Sequence, residues 1–131
     1  MSGLTTYQML IDGQWVDAAD GGCFESIDPS TGEAWAMVPE ATAADVERAV
    51  KAAERAMYEG PWANMTPTER GKYLRRLGDL LADKSEDLGR IETRDTGKMF
   101  TETRWQAKYI AEFFHFYAGA ADKIDGKTLP I

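Results

Sequence analysis

Cys23-Phe24-Glu25-Ser26-Ile27-Asp28-Pro29-Ser30-Thr31-Gly32-Glu33-Ala34-Trp35-Ala36-Met37-Val38 is the stretch that decides the fold class, together with the change of pattern beyond Pro39. Its two arms, Cys23 to Asp28 and Glu33 to Val38, flank Pro29-Ser30-Thr31-Gly32, where Pro presets one turn angle and Gly relieves another. The stretch therefore predicts a β-hairpin that Pro39 ends. From Thr42 onward the apolar period changes from two to about 3.6 residues. Thr42 is placed to act as an N-cap with Asp45 reaching back to it. Val46, Ala49, Val50, Ala53 and Met57 then recur on one helical face. A chain that opens in strands and continues in helices belongs to the α/β class.

Upstream, Tyr7 to Ile11 and Gln14 to Asp17 flank Asp12-Gly13, a dipeptide suited to the two positive φ angles of a type I′ turn. The two hairpins together span about residues 7–38. Downstream, Gly60-Pro61 stops the first helix, and Thr66-Pro67-Thr68-Glu69 starts a second with a capping box and a Pro at its first position. That helix carries Leu74, Leu77 and Leu81. Ser85 opens a short third helix bearing Leu88 and Ile91, which Gly97 closes. A fourth, from about Glu102 to Ala120, places Trp105, Tyr109, Phe113 and Phe116 on one face, widened by Ile110, Phe114 and Tyr117. The helical part thus covers about residues 42–120. Gly126 then releases the chain into Thr128 to Ile131, which reads as a strand just beginning. An aromatic face of that width and a strand without a sequel predict that the chain is the front of something larger.

The inventory excludes several function classes. At 131 residues the chain is one domain's worth at most, and 44% hydrophobic residues supply a core that a disordered chain lacks. Its 15 basic and 22 acidic residues give a charge of −7, which argues against a nucleic-acid partner, because phosphate neutralisation needs Lys and Arg. No run approaches the roughly 18 apolar residues of a membrane span. A single Cys allows no internal disulfide, and the first 22 residues lack the basic start and apolar run of a signal peptide, so the expected compartment is the cytoplasm. One His and one Cys cannot assemble a usual zinc site. No two of the 12 glycines are separated by a single intervening residue, so there is no glycine-rich dinucleotide loop.

Each reactive-looking constellation has a structural reading beside it. At about 100° per residue, Arg70 shares a direction with Leu74, Leu77 and Leu81, while Lys72, Arg75, Arg76 and Asp79 form a solvated face. Glu92 and Asp95 fall near Leu88 and Ile91, so a buried pairing with Arg70 is one solution and snorkelling of helix-end side chains the other. Lys108, Glu112 and His115 are spaced as an exposed ion-pair row; a Glu and His pair doing acid–base work would need a nucleophile or second acid that the neighbouring sequence lacks. Cys23 has no basic neighbour to activate it and reads as a structural thiol.

The strings Leu10-Ile11-Asp12-Gly13-Gln14-Trp15-Val16 and Phe24-Glu25-Ser26-Ile27-Asp28-Pro29-Ser30-Thr31-Gly32-Glu33 resemble the opening of the NAD(P)-dependent aldehyde dehydrogenase superfamily. So do Pro61-Trp62 before Arg70, Glu92-Thr93-Arg94-Asp95-Thr96-Gly97-Lys98, and Tyr117-Ala118-Gly119 followed by Lys123-Ile124-Asp125-Gly126. The resemblance covers practically the whole chain in order. One departure is Arg94, where the family more often has an apolar residue, which raises the question of how that segment packs.

Members of the superfamily are several times longer, so the resemblance implies an aldehyde-dehydrogenase-like fold in its N-terminal portion only: residues 1–131 as an incomplete cofactor-binding domain. It implies, for the parent protein, thiolate attack on an aldehyde, hydride transfer to NAD or NADP, and hydrolysis of the thioester. The catalytic Cys, general-base Glu and oxyanion-hole Asn belong to later strings. No residue of this chain is therefore assigned to catalysis or cofactor binding, Cys23 included, and the chain alone is expected to be inactive and to bind no cofactor. The expected partners are the remainder of the polypeptide and, at full length, further copies in a homo-oligomer. A monovalent-cation site found in some members would fall on Ser26, Ile27 and Asp95, oxygen donors of the kind hard cations take. The competing reading is a stand-alone, non-catalytic interaction module that uses the aromatic helix face.

Overall fold

Asp12 and Gly13 both adopt positive φ, 53° and 73°, the type I′ geometry whose twist matches that of paired strands. β2 (Met9–Ile11) and β3 (Gln14–Val16) therefore pair antiparallel, with Met9 opposite Val16 and Ile11 opposite Gln14. The predicted start at Tyr7 is corrected. Thr5–Thr6 forms a separate strand, β1, and the Tyr7 N–H donates to the Met37 carbonyl at 2.9 Å. These residues are thus drawn to another sheet by a long-range pairing that periodicity cannot show.

That sheet has the order β1-β5-β4, with β4 (Cys23–Asp28) antiparallel and β1 parallel to β5 (Glu33–Pro39). The intervening turn is held by the Gly32 N–H on the Asp28 carbonyl at 2.8 Å, and Gly32 has φ 71°. Register slips once: Ser26 lies opposite Ala36, but Ile27 lies opposite Ala34, leaving Trp35 as the extra residue of a β-bulge.

The computed structural model describes residues 4–129, which form two compact units. The first runs to Ala63 and includes Ile91–Lys98. Here Thr42 caps α1 (Ala43–Tyr58) in the predicted capping box with Asp45. The predicted apolar stripe does not form a core, however. Val46, Val50 and Met57 stay exposed, whereas Arg55 turns to the first hairpin and pairs with Asp12 at 2.7 Å. The unit's buried apolar residues are Ile11, Ala18 and Ala36.

The second unit contains Asn64–Arg90 and the residues from Met99 onward. α2 (Pro67–Asp83) starts with the expected Thr66–Glu69 capping box, α3 (Ser85–Thr96) crosses from this unit into the first, and α4 (Phe100–Ala120) packs on α2. At the α2–α4 seam the buried residues are small, Gly71, Gly78 and Ala111, while of the leucines read on α2 Leu74 and Leu81 are half-buried and Leu77 is exposed. A Cβ on Gly71 would stand 2.7 Å from the Ala118 carbonyl oxygen, so the two backbones approach as closely as they do only because glycine is there. On α4 the buried face is Thr103, Ala107 and Ala111, and the aromatic face points outward. Thr128 and Leu129 form no strand, since a strand needs a hydrogen-bonding neighbour; Pro130 and Ile131 lie outside the described residues.

Candidate functional site

Ser26 lies in β4 beside the register slip at Trp35, and the last turn of α3 brings Asp95 to it. That turn is closed by Gly97, whose φ is 75° and whose N–H donates to the Thr93 carbonyl at 2.9 Å. A Cβ there would meet Pro29 Cβ at 3.2 Å, so glycine is what lets the helix end lie against the second hairpin. The Ser26 hydroxyl then donates to Asp95 Oδ1 at 2.6 Å. Two of the three residues singled out for a cation are thereby brought together. Ile27 follows Ser26 in β4, opposite Ala34, with its side chain exposed.

Neighbouring side chains fix the frame. Asp28 Oδ1 accepts from the Ser30 N–H at 2.9 Å and from the Ser30 hydroxyl. The hydroxyl first, then the N–H, hold its carboxyl below the usual carboxylate range, with a smaller contribution from Arg94. The Arg94 guanidinium lies 5.1 Å above the Trp35 ring, which in turn meets Tyr7 edge-on at 5.9 Å. The residue at which the sequence departs from the family pattern is thus accommodated by a cation–π contact, one that no local spacing announces.

The buried carboxylates predicted on α3 are not found. Asp95 is exposed, and half-buried Glu92 pairs with Lys98 at 2.8 Å. Both lie in the last turns of the helix, where side chains reach solvent. Arg70 sits half-buried on α2. The predicted ion-pair row on α4 is also corrected: His115 is half-buried and its Nε2 lies 2.9 Å from Asp79 Oδ1 on α2. Cys23 is an exposed free thiol at the start of β4, opposite Pro39. Among the described residues, no three His, Cys, Asp or Glu side chains gather as a metal cage, and no helix is long and apolar enough to cross a membrane.

The residue that sequence reading underrated is Asp45. Its side chain is 1% exposed and accepts from the Ala19 N–H at 3.1 Å as well as from the Thr42 N–H at 3.0 Å and hydroxyl at 2.8 Å. The Ala19 bond, then the Thr42 N–H and hydroxyl, hold its carboxyl below the usual range against the opposing effect of burial. The capping box was legible, but the tether to Ala19 was not.

The profile of the aldehyde dehydrogenase family matches residues 15–131. The chain belongs to that family. A dehydrogenase of Acinetobacter baylyi acting, by its name, on (Z)-2-((N-methylformamido)methylene)-5-hydroxybutyrolactone is 46% identical over 125 residues, 95% of this chain and 25% of that protein. The mitochondrial aldehyde dehydrogenase family 2 member B4 of Arabidopsis thaliana is 46% identical over 94% of this chain and 23% of its own length. The crystal structure of an NAD-dependent aldehyde dehydrogenase from Sinorhizobium meliloti superposes with a TM-score of 0.89 at 36% identity, covering 95% of this chain and 25% of that one. The chain therefore spans about a quarter of the length of the aldehyde dehydrogenases it matches, and its α/β arrangement is that of their N-terminal portion.

Proposed function

We propose that this chain is the amino-terminal part of an enzyme that oxidises an aldehyde to a carboxylic acid, the aldehyde hydride passing to NAD(P)+ and water supplying the second oxygen with release of a proton. The observation that carries this is the match over nearly the whole chain to a quarter of several aldehyde dehydrogenases. In this reading residues 1–131 are an incomplete cofactor-binding domain whose catalytic Cys, Glu and Asn are supplied by the rest of the polypeptide, and the chain alone neither turns over nor holds the cofactor. The capping boxes support it. At the N-termini of α1 and α2 the free N–H groups and the positive end of the helix face Asp45 and Glu69, so a pyrophosphate would meet a carboxylate where it needs donors. An exposed free thiol at Cys23 suits a reducing, cytoplasmic setting.

The reading extends to a monovalent cation held by the Ser26 hydroxyl, the Ile27 carbonyl and the Asp95 carboxylate. The oxygen chemistry fits a hard cation, and Asp95 forms no ion pair among the described residues that would already neutralise it.

The test of the enzymatic reading is a chimera in which this chain replaces the matching quarter of the A. baylyi dehydrogenase. Aldehyde-dependent reduction of the cofactor by the chimera, and none by the 131-residue chain, is the expected result. A soluble, cooperatively folded chimera without activity would overturn it.

A further inference from the structure

Arg94 and Asp95 are consecutive residues in the last turn of α3, and both reach the same stretch of the β1-β5-β4 sheet. The Asp95 carboxylate accepts from the Ser26 hydroxyl of β4, while the Arg94 guanidinium lies 5.1 Å above the Trp35 ring of β5. Those two landing points are neighbours. Ser26 stands opposite Ala36 and Ile27 opposite Ala34, so Trp35 is the extra residue facing the step from Ser26 to Ile27. That step supplies the hydroxyl and the carbonyl of the cation site given above, and Asp95 supplies the carboxylate.

Trp35 is a fixed platform for the guanidinium. Tyr7 meets its ring edge-on at 5.9 Å with the planes 71° apart. The indole nitrogen is buried with no hydrogen-bond partner among the described residues, so packing alone orients the ring. Asp95, in contrast, is exposed, and an exposed side chain loses rotamer freedom when an ion orders it. Whatever holds the end of α3 on the sheet beforehand removes part of that cost and raises affinity. The Glu92–Lys98 pair ties the helix end to the residue that follows Gly97 and does not reach the sheet. The Arg94–Trp35 contact does reach it. The Ser26 hydroxyl, while donating to Asp95, keeps its lone pairs for an ion. The Arg94 charge is itself engaged, by the negative face of the ring and by Asp28, whose carboxyl is held low chiefly by the Ser30 hydroxyl and to a smaller extent by this guanidinium.

We infer that Arg94 is a positioning residue for a monovalent cation at Ser26, Ile27 and Asp95: its contact with Trp35 seats the last turn of α3 on the sheet and so presents the Asp95 carboxylate beside the Ser26 hydroxyl and the Ile27 carbonyl. This rests on the cation reading above and adds to it a residue that does not itself touch the ion.

Thermal melts of the full chain over a series of K+ concentrations, with tetramethylammonium keeping the ionic strength constant, give the K+ Kd through the rise in Tm. R94Q removes the charge at an exposed position and should weaken K+ binding about threefold or more, the equivalent of one cation–π contact. R94K, which keeps a cation over the ring, should stay within about twofold of the parent chain. R90Q is the control, because Arg90 lies on the same helix but 4.6 Å over the Phe100 ring; its K+ Kd should equal that of the parent chain. A lower Tm for R94Q in every salt with an unchanged K+ Kd would make Arg94 a structural residue only and overturn the inference. Tighter K+ binding by R94Q would overturn it too, since the guanidinium would then be repelling the ion. A parent chain whose Tm ignores K+ removes the cation reading itself and the inference with it, and the parent melts alone show this, so the two failures are told apart.

Discussion

The Ser26 hydroxyl and the Asp95 carboxylate, 69 positions apart, meet at 2.6 Å. The glycine at 97 helps make that meeting possible by letting α3 end against Pro29, next to the strand that carries Ser26. Removing the acceptor should separate a structural hydrogen bond from a cation site. In thermal melts at equal ionic strength, K+ or Na+ should raise the Tm relative to tetramethylammonium, and Asp95→Ala should abolish the difference. At tenfold excess over Kd, linkage gives about 1.4 kcal/mol. Identical Tm values in all three salts would leave only the hydrogen bond.

Asp45 should make stability depend on acid. Its folded carboxyl titrates below its ordinary value because the Ala19 and Thr42 groups donate to the charged form. The unfolded chain therefore takes up the proton first, near the usual Asp value of about 3.9. The contribution is fully present above that pH and is lost as pH falls through the folded pKa. Asp45→Asn should thus lower the Tm by a constant amount at neutral pH, and the gap to the parent chain should narrow below about pH 4. A gap independent of pH would show that the charge is not what Ala19 and Thr42 recognise.

Two glycines should respond oppositely to the same change. A Cβ on Gly71 meets the Ala118 carbonyl at 2.7 Å, whereas one on Gly119 meets nothing within 4 Å. Gly71→Ala should destabilise by about 1–3 kcal/mol through overpacking of the seam, while Gly119→Ala should stabilise by about 0.5–1 kcal/mol through helix propensity. Urea titrations of both would show it, and a stabilising Gly71→Ala would contradict the close approach.

Thr103 is 0% exposed, and its hydroxyl donates to the Gly89 carbonyl at 2.9 Å, tying α4 to α3 within the second unit. Thr103→Val keeps the shape and removes the donor, so a loss of about 1 kcal/mol is expected. A chemical denaturation curve unchanged in midpoint would mean that the hydroxyl is replaceable.

Local chemistry settled much of this protein before any tertiary contact. Asp12-Gly13 admits the two positive φ angles of a two-residue turn; Thr42 and Asp45, or Thr66 and Glu69, satisfy N–H groups only a few positions away; and Gly97 closes a helix by its own backbone. Family membership was legible for a related reason, since ordered strings survive in sequence whether or not the chain is complete. What the sequence alone did not settle lies across space. Tyr7 reads as the start of the first hairpin but bonds to Met37 of β5; Val46 and Val50 repeat like a core yet face outward; and the close approach of α2 and α4 rests on the buried Gly71, Gly78 and Ala111, which no apolar period marks. Periodicity states that a face is apolar without saying what covers it, and a glycine's absent side chain matters only when another backbone arrives to fill the space. The meetings of Ser26 with Asp95, Asp45 with Ala19 and Arg94 with Trp35 are of this second kind, because each joins segments that only the folded chain brings within reach.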